Sequence, residues 1–179
     1  MNPDRQFLLS DVMEIIGIKK TSLENWLGFR YIVPSIQEAT GTGSRNIFNL
    51  EDLCKIALFK RLIERGFSRK EASKFANASM APDRPDLGSM FNLYLKMWEG
   101  SLLVDPAFIA YKREGEEIKM FPLGLEDMGR LKRILKNADE CFILNINQMI
   151  TEICTKVGIS PEGIEGEGKT LLTKRSRKK

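Results

Sequence analysis

The chain has 179 residues, with 28 Lys and Arg against 24 Asp and Glu, and it contains no histidine. Without imidazole it lacks the side chain most used for general acid–base work and for activating a nucleophile, and no glycine-rich phosphate loop ending in Lys-Ser/Thr is present, so no enzyme is expected. An apolar content of 42% is enough to build cores for one or two domains.

No apolar run reaches the roughly 18 to 20 residues of a membrane span. The opening MNPDRQF carries no apolar signal core. The expected setting is the cytoplasm, associated with the nucleoid, with no membrane partner. Charge is uneven: residues 1–79 and 160–179 are net basic and residues 80–159 net acidic, so the two ends are the parts suited to a polyanion.

In chain order, Ser10 is the expected N-cap of a first helix carrying Val12, Ile15 and Ile16 on one face. Gly17 supplies the positive φ that ends it, and Ile18 fills the corner. A second helix places Leu23, Trp26 and Leu27 at i, i+3, i+4, facing the first. Its other face shows Lys19, Lys20, Thr21, Ser22 and Asn25. Two cations and three short hydrogen-bonding side chains near a helix N-terminus suit phosphates and base edges. A small helical hairpin with a solvated polar face would show the same pattern.

Residues 31–34 read as a strand leaving the second helix, residues 41–44 as a flexible tip, and Ile47 and Phe48 as the returning strand. Such a wing lays backbone N–H groups, a hydroxyl and a guanidinium against phosphate, through Ser44, Arg45 and Asn46. An ordinary hairpin loop whose glycines serve only the turn is the alternative. Asn49 with Asp52 reads as the capping box of a third helix, whose core face is Leu53, Ile56, Ala57, Phe59, Leu62 and Ile63. Gly66 ends it, and Ser68 with Glu71 caps a fourth helix through Ala72, Phe75 and Ala76.

The run LLSDVMEIIGI, then SLENW, then GSRNIFNLEDL, then LFKRLIERGFSRKEA resembles the DNA-binding domain of the MerR family of transcription regulators, over about the first 75 residues. Arg45 followed three residues later by Phe48, then an acidic-Leu helix start, is the most specific part. The resemblance implies a winged helix-turn-helix with residues 21–27 in the major groove and Arg45 on the backbone beside it. It also implies double-stranded DNA as partner and a homodimer. Three positions depart from the family's pattern: Glu24 stands where Arg is usual, Arg30 where Gly is usual, and Lys19 where a Ser N-cap is usual. Thr21 and Glu24 fit a capping box of their own, which would take Glu24 off the DNA. Arg30 adds a further cation at the end of the recognition helix.

Residues 80–89, Pro-containing and polar, read as a linker. The long helix that pairs subunits in the family has no counterpart in the heptad pattern here. Residues 90–160 read as a small α+β domain. It would have a strand at 91–99, a hairpin with arms at 108–112 and 117–121, a helix over 125–135 with Leu131, Ile134 and Leu135 inward, an apolar strand at 141–146, and a last helix capped by Asn147. That last helix would bury Met149, Ile150, Ile153 and Val157. A pocket edged by Tyr94, Trp98 and Tyr111 would suit an effector of unknown kind, small molecule or protein; the same rings serve equally as core.

Residues 161–179, ending in Lys174, Arg175, Arg177, Lys178 and Lys179, read as a disordered basic tail. The weak echo of a phosphate loop at Gly166, Gly168, Lys169 and Thr170 follows no apolar strand. Cys54, Cys141 and Cys154 are widely spaced, so buried thiols are expected, with no metal and no cofactor.

The fold class expected is therefore mainly α with an α+β C-terminal part, behind a MerR-like winged helix-turn-helix. Three functions remain open: a sequence-specific transcription regulator, an excisionase-like protein that bends DNA, and a protein-interaction adaptor whose winged helix no longer binds DNA.

Overall fold

The structure is a computed structural model that describes residues 5–80, 108–115, 117–123, 128–136 and 139–158. The chain divides into two compact units, Met1–Phe91 and Asn92–Lys179. Together they make a mixed fold of helices and two small sheets.

In the first unit, strand β1 (Phe7–Leu8) leads directly into helix α1 (Leu9–Ile16). The cap is Leu8, not Ser10: the Leu8 N–H donates to the Asp11 carboxylate at 2.7 Å. The aspartate three residues on therefore holds the helix start, and Ser10 falls inside the first turn. Gly17 takes φ +67° and donates to the Met13 carbonyl at 2.9 Å, ending the helix as its sequence position demands. Val12 and Ile16 are buried.

Helix α2 (Lys20–Gly28) follows at once. It buries Leu23 and Trp26, and the Trp26 ring meets Phe59 edge-on at 4.8 Å. No wing strand forms at residues 31–34. Ile32 and Pro34 are instead buried in an irregular segment, and Ser35 is tied to Asp52. Side-chain burial and a carboxylate thus claim the backbone that a ladder would have used. Pairing starts later, at an isolated antiparallel bridge between Gln37 and Ile47. Strand β2 (Ile47–Phe48) then pairs with β1, Phe7 opposite Phe48 and Leu8 opposite Ile47.

Helix α3 (Leu50–Glu64) is the core of this unit, with Leu53, Ile56, Leu58, Phe59 and Leu62 fully buried. Its expected capping box is present: the Asp52 N–H donates to Asn49 Oδ1 at 2.8 Å and the Asn49 N–H to Asp52 Oδ2 at 3.1 Å. Gly66 turns the chain at φ +87°. The Ser68–Glu71 box opens α4 (Arg69–Met80), with the Ser68 N–H donating to Glu71 at 2.9 Å. Ala72, Phe75 and Ala76 pack inward as read from the sequence. Helix α4 runs into Met80, the first residue of the expected linker, whose remainder lies outside the described residues.

In the second unit, β3 (Phe108–Glu114) and β4 (Glu117–Leu123) form the expected hairpin, each arm two residues longer than its pattern suggested. Glu114 pairs with Glu117 across a two-residue turn, in which Gly115 sits at φ +59°. Helix α5 (Met128–Leu135) leads to β5 (Glu140–Asn145), which pairs with β3 to give the order β4-β3-β5. The last helix, α6 (Ile146–Lys156), is capped by Asn145, two residues earlier than expected, through its Oδ1 accepting the Gln148 N–H at 3.0 Å. Met149, Ile150, Ile153, Cys154 and Val157 are buried. Tyr111 is core and stacks on Phe142 at 5.1 Å; Tyr94, Trp98, the strand expected at 91–99 and the basic tail lie outside the described residues.

Asp52 is 1% exposed and accepts from the Ser35 N–H at 2.8 Å, the Ser35 hydroxyl and the Asn49 N–H. Asp52→Asn places an amide donor against those donors. A loss of about 1–3 kcal/mol is expected, read as a lower urea midpoint at unchanged m; an unchanged midpoint would contradict this role.

Candidate nucleic-acid interface

The surface in question is built by α2 and by the loop between Gln37 and Ile47. Trp26 fixes the roll of α2. With Leu23 and Trp26 turned into the core, Lys20, Thr21 and Asn25 must face solvent; they do, with Lys19 exposed beside them and Ser22 half-buried. A second restraint comes from α3. The Lys60 ammonium donates to the carbonyls of Ile16 and Gly17 at 3.2 Å each, clamping the corner between α1 and α2. Nothing in the sequence marks Lys60 for this, since a lysine on an amphipathic helix reads simply as solvated.

The N-terminus of α2 differs from its expected form. The helix begins at Lys20 after Lys19, and no side chain caps it. Thr21 therefore lies inside the first turn, and Glu24 stands beyond reach of the helix start, so the expected Thr21–Glu24 capping box does not form. Glu24 instead lies 3.7 Å from the Lys20 ammonium, four residues back on the same face. The first-turn amides are left without a side-chain acceptor, on the end of the helix whose dipole favours anions.

The loop is held by side chains more than by a ladder. The bridge exchanges two bonds, Ile47 N–H to the Gln37 carbonyl at 2.9 Å and Gln37 N–H to the Ile47 carbonyl at 3.2 Å. Asn46 Oδ1 accepts the Ala39 N–H at 2.8 Å. The Ser44 hydroxyl accepts the N–H groups of Thr40 and Gly41 at 2.7 and 2.9 Å and donates to the Gly41 carbonyl at 2.8 Å. The Ser44 hydroxyl and the Asn46 Oδ1 thus shape the loop. Arg45 is exposed between them, its backbone carbonyl accepting from the Gln37 amide at 3.2 Å.

Arg30 stands apart. Its φ of +55° is the left-handed region that glycine favours, and among the described residues it is the non-glycine residue found there. Its guanidinium forks onto Glu38, at 2.9 and 3.3 Å. Arg30 thus ties the end of α2 to the base of the loop. Gln37 and Glu38, which sequence reasoning missed, are the residues that attach the loop to the rest; their only sequence signal is their place just before the glycine-rich tip.

The cysteines carry different chemistry. Burial pushes the Cys154 thiol up to about 12. Burial also raises Cys141, and the positive charge of Lys112, directly opposite it on β3, pulls part of the way back. Among the described residues, no cluster of three or more His, Cys, Asp or Glu could hold a metal ion. Among the same residues, no helix is long and apolar enough to cross a membrane.

Comparison with known proteins adds one line of likeness. The chain is similar to HTH-type transcriptional regulators, themselves uncharacterised, from Mycobacterium bovis and Mycobacterium tuberculosis, at 34% identity over 55 residues. That match covers 31% of this chain and 24% of each relative, so it spans about a quarter of the relatives' length. No protein-family model matches the chain.

Cysteine reactivity tests the description of the second unit. The folded chain holds the Cys154 proton to about 12 where the unfolded chain releases it near 9.0, so this stability is whole below 9.0 and lost as pH rises through 12. In the native state at mildly alkaline pH, iodoacetamide is expected to label Cys141 well before the fully buried Cys54 and Cys154. Labelling of Cys154 first, read by peptide mass, would contradict the packing of α6.

Proposed function

We propose that this chain is a DNA-binding transcription regulator that uses a MerR-like winged helix-turn-helix. In this reading α2 enters the major groove and the loop at residues 41–47 lies on the adjacent backbone. The observation that carries it is the presentation of Lys19, Lys20, Thr21 and Asn25 on the solvent side of a helix whose roll is fixed by Trp26. The likeness to HTH-type regulators supports the same reading. Lys19, Lys20, Arg45 and the uncapped first turn of α2 hold phosphate, while Thr21, Ser22 and Asn25 meet base edges. Ser44 and Asn46 act through the loop they shape, and Arg30 contributes when it leaves Glu38.

The head comprises residues 1–79, joined through residues 80–89 to a second domain at 90–160 that pairs two subunits or senses an effector. A homodimer would then cover two half-sites in the cytoplasm. No enzymatic step is assigned. A second reading, an adaptor that no longer binds DNA, draws on the pairing of Lys20 with Glu24 and of Arg30 with Glu38, which lowers the free positive charge of the surface.

Two substitutions separate backbone contact from base reading. Arg45→Ala is expected to weaken binding to all duplexes and to reduce the slope of log K against log salt by about one. Asn25→Ala is expected to cost about 1–3 kcal/mol at the preferred site and to relax preference at one base position. Fluorescence anisotropy on matched duplexes over a salt series measures both. An unchanged slope for the first, or equal loss on every sequence for the second, would contradict the assignments.

A further inference from the structure

The Arg30–Glu38 pair combines three features. It is solvent-facing, with side chains 67% and 42% exposed, so it contributes little to folding. It is nonetheless two-pronged, at 2.9 and 3.3 Å, the fork geometry a guanidinium adopts on a carboxylate or a phosphate. And Arg30 holds a left-handed backbone, φ +55°, where glycine would sit without strain. A side chain is being kept at a costly position, at the junction of α2 with the loop. The Lys20–Glu24 pair at the other end of α2 is looser at 3.7 Å, and its Lys-before-Glu order is the weaker one on a helix.

We propose that Glu38 is a built-in stand-in for a DNA phosphate: it occupies the Arg30 fork in the free protein and must release it when the backbone arrives. The inference rests on the DNA-binding reading above. A phosphate contact made at the expense of an internal carboxylate yields less net affinity than one made by a free guanidinium, because the pair must be broken first. Glu38 thereby lowers affinity for the DNA backbone whatever the sequence, and leaves discrimination to the base edges met by α2. It is a residue that tunes overall affinity and need touch neither base nor phosphate.

The test is a double-mutant cycle on two duplexes, a mixed-sequence one and the preferred site, each over a salt series. Glu38→Gln keeps size and removes the charge. Arg30→Gly removes the fork and suits the backbone. Thermal midpoints of all variants establish that they remain folded. The expected result is that Glu38→Gln binds both duplexes about two- to fivefold more tightly at low salt, with a slope steeper by about one and the ratio between the two duplexes unchanged. In the Arg30→Gly background the same change should do little. An equal gain in both backgrounds would mean simple removal of negative charge, and would overturn the proposal. Weaker binding by Glu38→Gln at an unchanged slope would mean that the pair only braces the loop, and would overturn it too. Failure of the unsubstituted protein to bind any duplex would defeat the DNA-binding reading itself, a result distinguishable from the other two.

Discussion

A buried carboxylate at the start of α3 sets the geometry of the first unit. Asp52 is shut off from water, so its lone pairs must be satisfied from within. Three donors do this: the N–H and hydroxyl of Ser35 and the N–H of Asn49. Two of them belong to a segment seventeen residues earlier, so one side chain both starts the central helix and pins the irregular chain at residues 31–36 to it. That segment joins α2 to the loop. Its position decides where the loop can reach relative to the exposed face of α2.

A stack of aromatic rings works alongside the carboxylate. Trp26 of α2 meets Phe59 of α3 edge-on, and Tyr31 stacks on the same Phe59 at 6.1 Å. The Ser73 hydroxyl of α4 donates to the Tyr31 carbonyl at 2.8 Å. Helices α3 and α4 thus form a platform that grips both ends of the connection leaving α2. Thr21 and Asn25 stay outward because Leu23 and Trp26 cannot leave the core without losing burial worth about 1.5–3 kcal/mol each. The roll of the helix that carries the polar face is therefore set by the core behind it.

The sequence displayed the helices of this unit well, because each is marked by local chemistry. Gly17 and Gly66 carry positive φ, and the Asn49–Asp52 and Ser68–Glu71 boxes sit at three-residue spacing. It misled at residues 31–34, where a long-range partner overrode local composition, and at three helix starts, each displaced by two residues. Residues 31–34 have the composition of a strand, yet burial of Ile32 and Pro34 and the hold of Asp52 on Ser35 keep them irregular. Thr21 and Glu24 have capping-box spacing, yet the helix starts two residues too early for it. Asn147 and Ser10 lost the capping role to Asn145 and Leu8 for the same reason, a boundary displaced by one turn or less. The Lys60 clamp was invisible because it reaches 44 residues back along the chain, and the Arg30–Glu38 fork because it spans eight residues of irregular chain with no periodic pattern. The second unit showed its hairpin through the turn-like Arg113-Glu114-Gly115-Glu116 between two arms, and its last helix through a stripe of Met149, Ile150, Ile153 and Val157.

The account stands or falls on whether this surface reads DNA sequence. Selecting bound duplexes from a random pool, then titrating the winner with salt, tests that most directly. A defined motif, arranged as an inverted repeat, whose affinity falls linearly in log salt, is the predicted result. No enrichment from the pool, with only weak binding that is indifferent to sequence, would contradict it.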